Sequence, residues 1–218
     1  MSHAVIFDCE YLTAPGAMTR HWGGPLDPDP SVAQIGAVKL SLEPGHEILE
    51  TFSVLIRSKD RHGRKVLLDP FFTELTGIKQ EAVDRNGIPL KEALDRFEAF
   101  AGDGTLWSWG KDELNLLAIS FYVEGVAPKM PIGRFGNATG LVLLAGMPYE
   151  DLVRTTSARL ADYFGLEGTA RREHDALDDA MSVALGLQHL LLTGRLTPAD
   201  FRLPLDETAL RQRVASGT

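Results

Sequence analysis

The chain has 218 residues, with 22 Lys plus Arg against 30 Asp plus Glu and a net charge of −8. Its 44% hydrophobic and 24% charged residues are globular proportions that exclude intrinsic disorder, and the length suffices for a core without disulfides or structural zinc. The charge balance excludes a protein that coats nucleic acid by bulk electrostatics, but not an enzyme that meets phosphate through carboxylate-bound metal ions. The lone cysteine, Cys9, rules out an internal disulfide framework and fits a reducing compartment. No apolar run approaches the ~18 residues of a membrane span. Residues 1–10 lack the basic-then-apolar pattern of a secretory signal, so a cytoplasmic protein with no membrane partner is expected.

In chain order, residues 4–7 form a short apolar run of the kind buried on both faces of a sheet. Residues 11–31 read as a loop rich in Gly and Pro. Residues 32–40 and 48–56 are β-branched and aliphatic, and the turn residues 43–45 between them predict an antiparallel hairpin. A short helix over 69–75 is stopped by Gly77, and an amphipathic helix over 90–100 carries apolar residues at 90, 93, 94, 97 and 100. A fourth strand at 105–109 ends at Gly110 and leads to a helix over 113–123. The stretch 128–146 admits a fifth strand, a helix or both. Long helices over 150–164 and 175–192 follow, then a polar tail over 204–218. Three leading strands followed by alternating helix and strand predict one α/β domain over 1–203, built on a mixed sheet flanked by helices.

Chemistry concentrates at three places. Asp8 and Glu10 close the first strand; side chains two apart lie on one face, so they project together while Cys9 points the other way. Two carboxylates at the end of a strand form half of a site for Mg²⁺ or Mn²⁺, which prefer oxygen ligands, although an isolated Asp-x-Glu also arises by chance. The second place is 174–180, where His174 and Asp179 stand five positions apart, about 140° around a helix. They converge only if His174 sits in the preceding loop and Asp179 on the first turns. Capping by Asp175, with Asp178 and Asp179 complementing the helix dipole, accounts for the carboxylates but gives no reason for His174. The third is 106–113, a strand running into a helix start with Asp112 and Glu113 at the junction.

These segments, in this order, resemble the DEDD-type 3′–5′ exonucleases of the histidine subclass, in the branch that includes the Eri-type RNA exonucleases. Asp8 and Glu10 match the family's first motif, and His174 with Asp179 matches its last, His-x-Ala-Leu-x-Asp-Ala. Residues 32–38 look like its second strand, 72–78 like the loop and helix before its substrate cleft, and Trp107 to Gly110 like its strand end. In the central motif Asp112 is of the right type, and its shorter side chain favours it. The register relative to Leu114, Leu116 and Leu117 leaves Glu113 open. The loop at 11–30 is longer than in the simplest members, and 131–146 lacks an obvious family pattern.

The resemblance implies a ribonuclease H-like fold with three leading antiparallel strands followed by parallel ones. It implies an enzyme, a 3′–5′ exonuclease hydrolysing phosphodiesters at single-stranded RNA or DNA 3′ ends, and it admits a homodimer. Asp8, Glu10, Asp112 and Asp179 would hold two Mg²⁺ or Mn²⁺ ions roughly 3.5–4 Å apart, and His174 would act as general base. Thr76, Gly77 and Ile78 would line the terminal-nucleotide pocket. Tyr11 and Trp22 either stack on a terminal base or pack their own loop. Segment 57–65, with five basic residues against one acidic, and Arg171 and Arg172 are candidates for phosphate contact. Two competing readings are a nucleic-acid-binding module without catalysis and a phosphatase-like hydrolase. The first predicts a missing carboxylate or histidine, whereas here all five positions are filled. The second has no need of His174 at its distance from Asp179.

Overall fold

The first three strands form where aliphatic and β-branched residues cluster: β1 (His3–Tyr11), β2 (Val32–Ser41) and β3 (Ile48–Leu55) pair as an antiparallel meander. The computed structural model of the protein describes residues 2–166 and 172–203; Arg171 and the tail at 204–218 lie outside them. After β3 come α1 (Pro70–Thr76), α2 (Gln80–Asn86) and α3 (Leu90–Ala101), and then β4 (Thr105–Ser108), parallel to β1. The chain continues through α4 (Asp112–Glu124), β5 (Phe135–Asn137), α5 (Ala138–Leu144), α6 (Tyr149–Arg154), α7 (Leu160–Tyr163) and α8 (Ala176–Leu192). The sheet order is β3-β2-β1-β4-β5, with β5 parallel to β4. This is the α/β architecture expected: a mixed sheet with three antiparallel strands, then parallel ones.

Alternation along β1 sorts its residues between two cores. Val5, Phe7 and Cys9 face α3 and α4, packing with Ile35, Ala37, Leu94, Phe97, Leu106 and Leu117. Ala4 and Ile6 face α8, with Val38, Leu40, Trp107, Val183 and Leu187. Asp8 and Glu10 continue the row of Ala4 and Ile6 and therefore emerge on the α8 side, at the carboxyl end of the strand. Here β2 lies on one side of β1 and β4 on the other, so the connections diverge from β1. Open α/β sheets leave a crevice at such a point. The β1–β2 register also slips between Glu10 and Tyr11, an irregularity that re-aims the strand just past the second carboxylate.

The helix α8 reaches β1 because β2 lets it approach. Asp8 pairs with Gly36 and Glu10 with Gln34 across the two strands. A Cβ on Gly36 would overlap the backbone of Ala176 and Leu177, and the side-chain carbonyl of Gln34 accepts a hydrogen bond from the N–H of Ala176 at 3.2 Å. Gly36→Ala should therefore force α8 off the sheet, lowering unfolding free energy by about 1–3 kcal/mol in urea denaturation. An unchanged midpoint would show that the helix start does not bear on β2.

Two expectations are corrected. The helix predicted over 150–164 is two short helices, because Thr155 and Thr156 adopt extended backbone and the Thr155 hydroxyl donates to the carbonyl of Asp151 at 2.8 Å. A 3₁₀ turn at Ser157–Arg159 restarts the chain. The helix α2 was not expected; its seven residues bury only Val83, too little for a periodic signal. The stretch 128–146 holds both a strand and a helix, β5 and α5.

Candidate metal centre

Asp8, Glu10 and Asp179 each offer a carboxylate oxygen within 4.8 Å of the others, and all three are buried. Two come from the end of β1 and the third from the first turn of α8. The acidic residues at the start of α8 divide their work. The Asp175 carboxylate caps the helix, accepting from the N–H of Leu177 at 3.0 Å and of Asp178 at 3.4 Å. The Asp178 carboxylate accepts from the N–H of Arg172 at 2.7 Å. Only Asp179 turns inward. Ser157, in the 3₁₀ turn between α6 and α7, donates to its Oδ2 at 3.5 Å. The break in the expected helix is what delivers that serine.

Asp112 and Glu113 part company at the start of α4. Consecutive helical residues diverge by 100°, and Asp112 is exposed whereas Glu113 is 7% exposed. Glu113 shares its face with Leu116, Leu117 and Ser120, the buried stripe of the helix. Its charge is the strongest electrostatic influence on Asp8. A reading of the apolar spacing, with 113 ahead of 116, 117 and 120 at three, four and seven positions, holds the signal for this choice.

Burial, reinforced by neighbouring negative charges, raises all four carboxyls. Burial, then the charges of Glu113, Asp179 and Glu10, push Asp8 well above the usual carboxylate range. Burial and the neighbouring Asp179 and Asp175 push Glu10 up to about 8, with Arg172 pulling the other way. Burial raises Glu113 to about 7 against its own N–H and the Ser108 hydroxyl. Asp179 rises to about 7, mainly by burial and by Glu173, while the backbone N–H of His174 opposes the shift. Buried carboxylates of like charge cannot all ionise without a counter-cation. Moreover, Oδ1 of Asp179 and Oε2 of Glu113 are buried without a hydrogen-bond partner. An all-oxygen donor set with orphaned acceptors fits hard divalent cations.

His174 stands in the turn before α8 and Asp179 in the helix's first turn, the placement their spacing required. The histidine is exposed and lies in the left-handed region at φ 63°, a conformation that costs a non-glycine residue about 1–3 kcal/mol. Tyr11 packs its ring 5.7 Å from that of Trp22, whose Nε1 donates to the carbonyl of Leu12 at 3.2 Å, so both residues fasten their own loop. The Thr76 hydroxyl donates to the carbonyl of Phe72 at 2.9 Å and accepts from the N–H of Ile78 at 3.1 Å, closing α1. Ile78 packs with Leu12, Ala33, Phe72 and Val83. Gly77, the half-buried member of that trio, lies against the Arg172 guanidinium. The basic segment lines a groove of about 620 Å³ with Trp22 and Pro25, but Arg61 pairs with Asp29, Arg64 with Asp60 and Lys65 with Asp84. Gln34, Gly36, Ser108 and Ser157 are the supporting residues that sequence reasoning missed.

No family model matches the sequence, and no curated protein is significantly similar to it. Solved structures are. A full-length 3′-exonuclease superposes with a TM-score of 0.68 at 22% identity, over 88% of this chain and 61% of that one. The chain has the fold of a 3′-exonuclease. The same ribonuclease H-like exonuclease fold recurs in a 3′-exonuclease that recognises the 3′ end of the histone mRNA stem-loop, with TM-score 0.66, 21% identity, and 88% and 83% of the two chains covered. It recurs again in E. coli exonuclease I, described in a zinc-bound complex with single-stranded DNA, with TM-score 0.60, 15% identity, and 88% and 41% covered. The chain thus spans less than two thirds of the first and third of these proteins. Among the described residues of this exonuclease fold, no helix is long and apolar enough to cross a membrane.

Proposed function

We propose that the protein is a metal-dependent 3′–5′ exonuclease that removes nucleotides from single-stranded RNA or DNA ends, its exonuclease domain spanning residues 1–203. The observation that carries this reading is the buried carboxylate cluster at the carboxyl end of β1, with orphaned acceptors, on a fold shared with 3′-exonucleases. The metal ligands we assign are Asp8, Glu10, Asp179 and Glu113, with Glu113 in place of the expected Asp112, whose side chain is exposed. Two Mg²⁺ or Mn²⁺ ions bound there would activate a water and stabilise the leaving 3′-oxygen. His174, exposed in the turn before α8 and held there in the left-handed region, would take the proton from the attacking water as general base. Glu10 and Asp179 would be ionised once cations are bound, and Ser157, which donates to Asp179, would orient its carboxylate.

The test is incubation with 3′- and 5′-labelled single-stranded RNA and DNA in Mg²⁺, Mn²⁺ or EDTA. Metal-dependent release of mononucleotides from the 3′ end is expected, and no cleavage by folded protein with any metal would overturn the reading. His174→Gln should lower the rate by roughly 10²–10⁴-fold while leaving metal-induced thermal stabilisation intact. Loss of both would make it a structural residue instead.

A further inference from the structure

Beside the carboxylates lies a cation that metal binding does not use. Arg172 is anchored before α8 through its N–H to Asp178, and its side chain reaches the turn that closes α1. There its guanidinium covers Gly77 so closely that a Cβ on this residue would overlap Nη1, Nη2 and Cζ. Gly77 sits in the left-handed region at φ 70°, which already favours glycine. Among the described residues the guanidinium makes no ion pair and donates no hydrogen bond, although Glu10 feels its charge. Arg20, Arg61, Arg64 and Arg96 bind carboxylates; Arg57, Arg85 and Arg154 have no such partner among the described residues either, but Arg172 is the arginine whose charge acts on Glu10. A planar fork of free donors, spanning from the α1 turn to the edge of an acidic site, is shaped for an oxyanion approaching that site.

We propose that Arg172 binds substrate: its guanidinium grips a non-bridging oxygen of the terminal nucleotide's phosphate, the group released as a 5′-monophosphate. This assignment rests on the exonuclease reading. It predicts that Arg172 contributes to affinity for a phosphate-bearing nucleotide and contributes nothing to recognition of the bare nucleoside.

The experiment titrates AMP and adenosine, in Mg²⁺, into the wild type, Arg172→Gln and Arg172→Lys by calorimetry, beside oligonucleotide hydrolysis. Arg172→Gln should bind AMP roughly tenfold to hundredfold more weakly. Arg172→Lys should fall between, and adenosine should be bound identically by all three, weakly or not at all. In hydrolysis the KM should rise more than kcat falls. Equal AMP affinity in wild type and Arg172→Gln, with hydrolysis intact, would overturn the Arg172 assignment alone. Equal weakening of AMP and adenosine would overturn it too, making the residue a packing element. If the folded wild type neither hydrolyses oligonucleotides nor binds AMP, the exonuclease reading falls and takes this assignment with it.

Discussion

Glu113→Gln should abolish nearly all metal-dependent hydrolysis, by roughly 10³-fold or more, while Asp112→Asn stays within about threefold of wild type. The two residues are neighbours in sequence and opposites in environment. Asp112 points to solvent, where its charge is hydrated whether or not a cation is present. Glu113 is buried on the same helix face as Leu116 and Leu117, carries an oxygen with no partner, and is the strongest electrostatic neighbour of Asp8. Replacing its carboxylate with an amide removes an anionic ligand worth several kcal/mol of charge stabilisation, and each 1.36 kcal/mol is a factor of about ten in rate. Steady-state rates on labelled oligonucleotides, with circular dichroism to verify folding, decide between them. Equal mild losses would mean that neither residue ligates metal.

Protein stripped with EDTA should lose stability as pH rises from about 4.5 to about 8, and divalent cations should restore it. The sign follows from the raised carboxyls. Glu10 sits near about 8, and Glu113 and Asp179 near about 7. In the unfolded chain such groups ionise near about 4. Between those values the folded state holds protons the unfolded state has lost, so raising the pH favours unfolding. Asp27 and Asp60, half-buried and bonded to Arg20 and Arg64, are shifted downward, so their contribution is lost on acidification below the ordinary carboxylate range, outside this window. A cation binds only the ionised cluster, so its stabilisation should grow with pH. At a concentration about 100 times Kd it should contribute about 2.7 kcal/mol, or roughly 5–10 °C in Tm for a chain of this size. Thermal scans at pH 5.5 and 8, with EDTA or Mg²⁺, measure this directly. A Tm that is flat with pH and indifferent to metal would remove the cluster from metal binding.

Much of the site was legible because its residues sit at element ends that local sequence marks. Asp8 and Glu10 follow an apolar run and share a strand face by period alone. His174 and Asp179 flank a helix start whose cap, Asp175, is itself a sequence signal. The choice between Asp112 and Glu113 was not settled, because both lie in the first turn and helix phase matters only once a neighbouring surface exists. Ser157 was invisible for a related reason. Hydropathy over 150–164 reads as one helix, and two threonine residues turn it aside through hydroxyl and backbone preferences too weak to stand out in a periodic pattern. At Thr76 the structure adds a role that local sequence does not mark: its hydroxyl closes α1.

By itself the sequence determined the strand and helix periods, the pairing of the first two carboxylates and the loop position of His174, because each depends on residues within a turn or a strand of one another. Tertiary structure decided which carboxylates meet and what charge they can carry. Asp179 lies far from Asp8 in the chain and reaches it only because Gly36 has no side chain to hold α8 away. Burial then raises four acidic groups together, and packing lays the Arg172 guanidinium against Gly77. Proximity and dielectric are properties of the packed chain, and no local pattern encodes them.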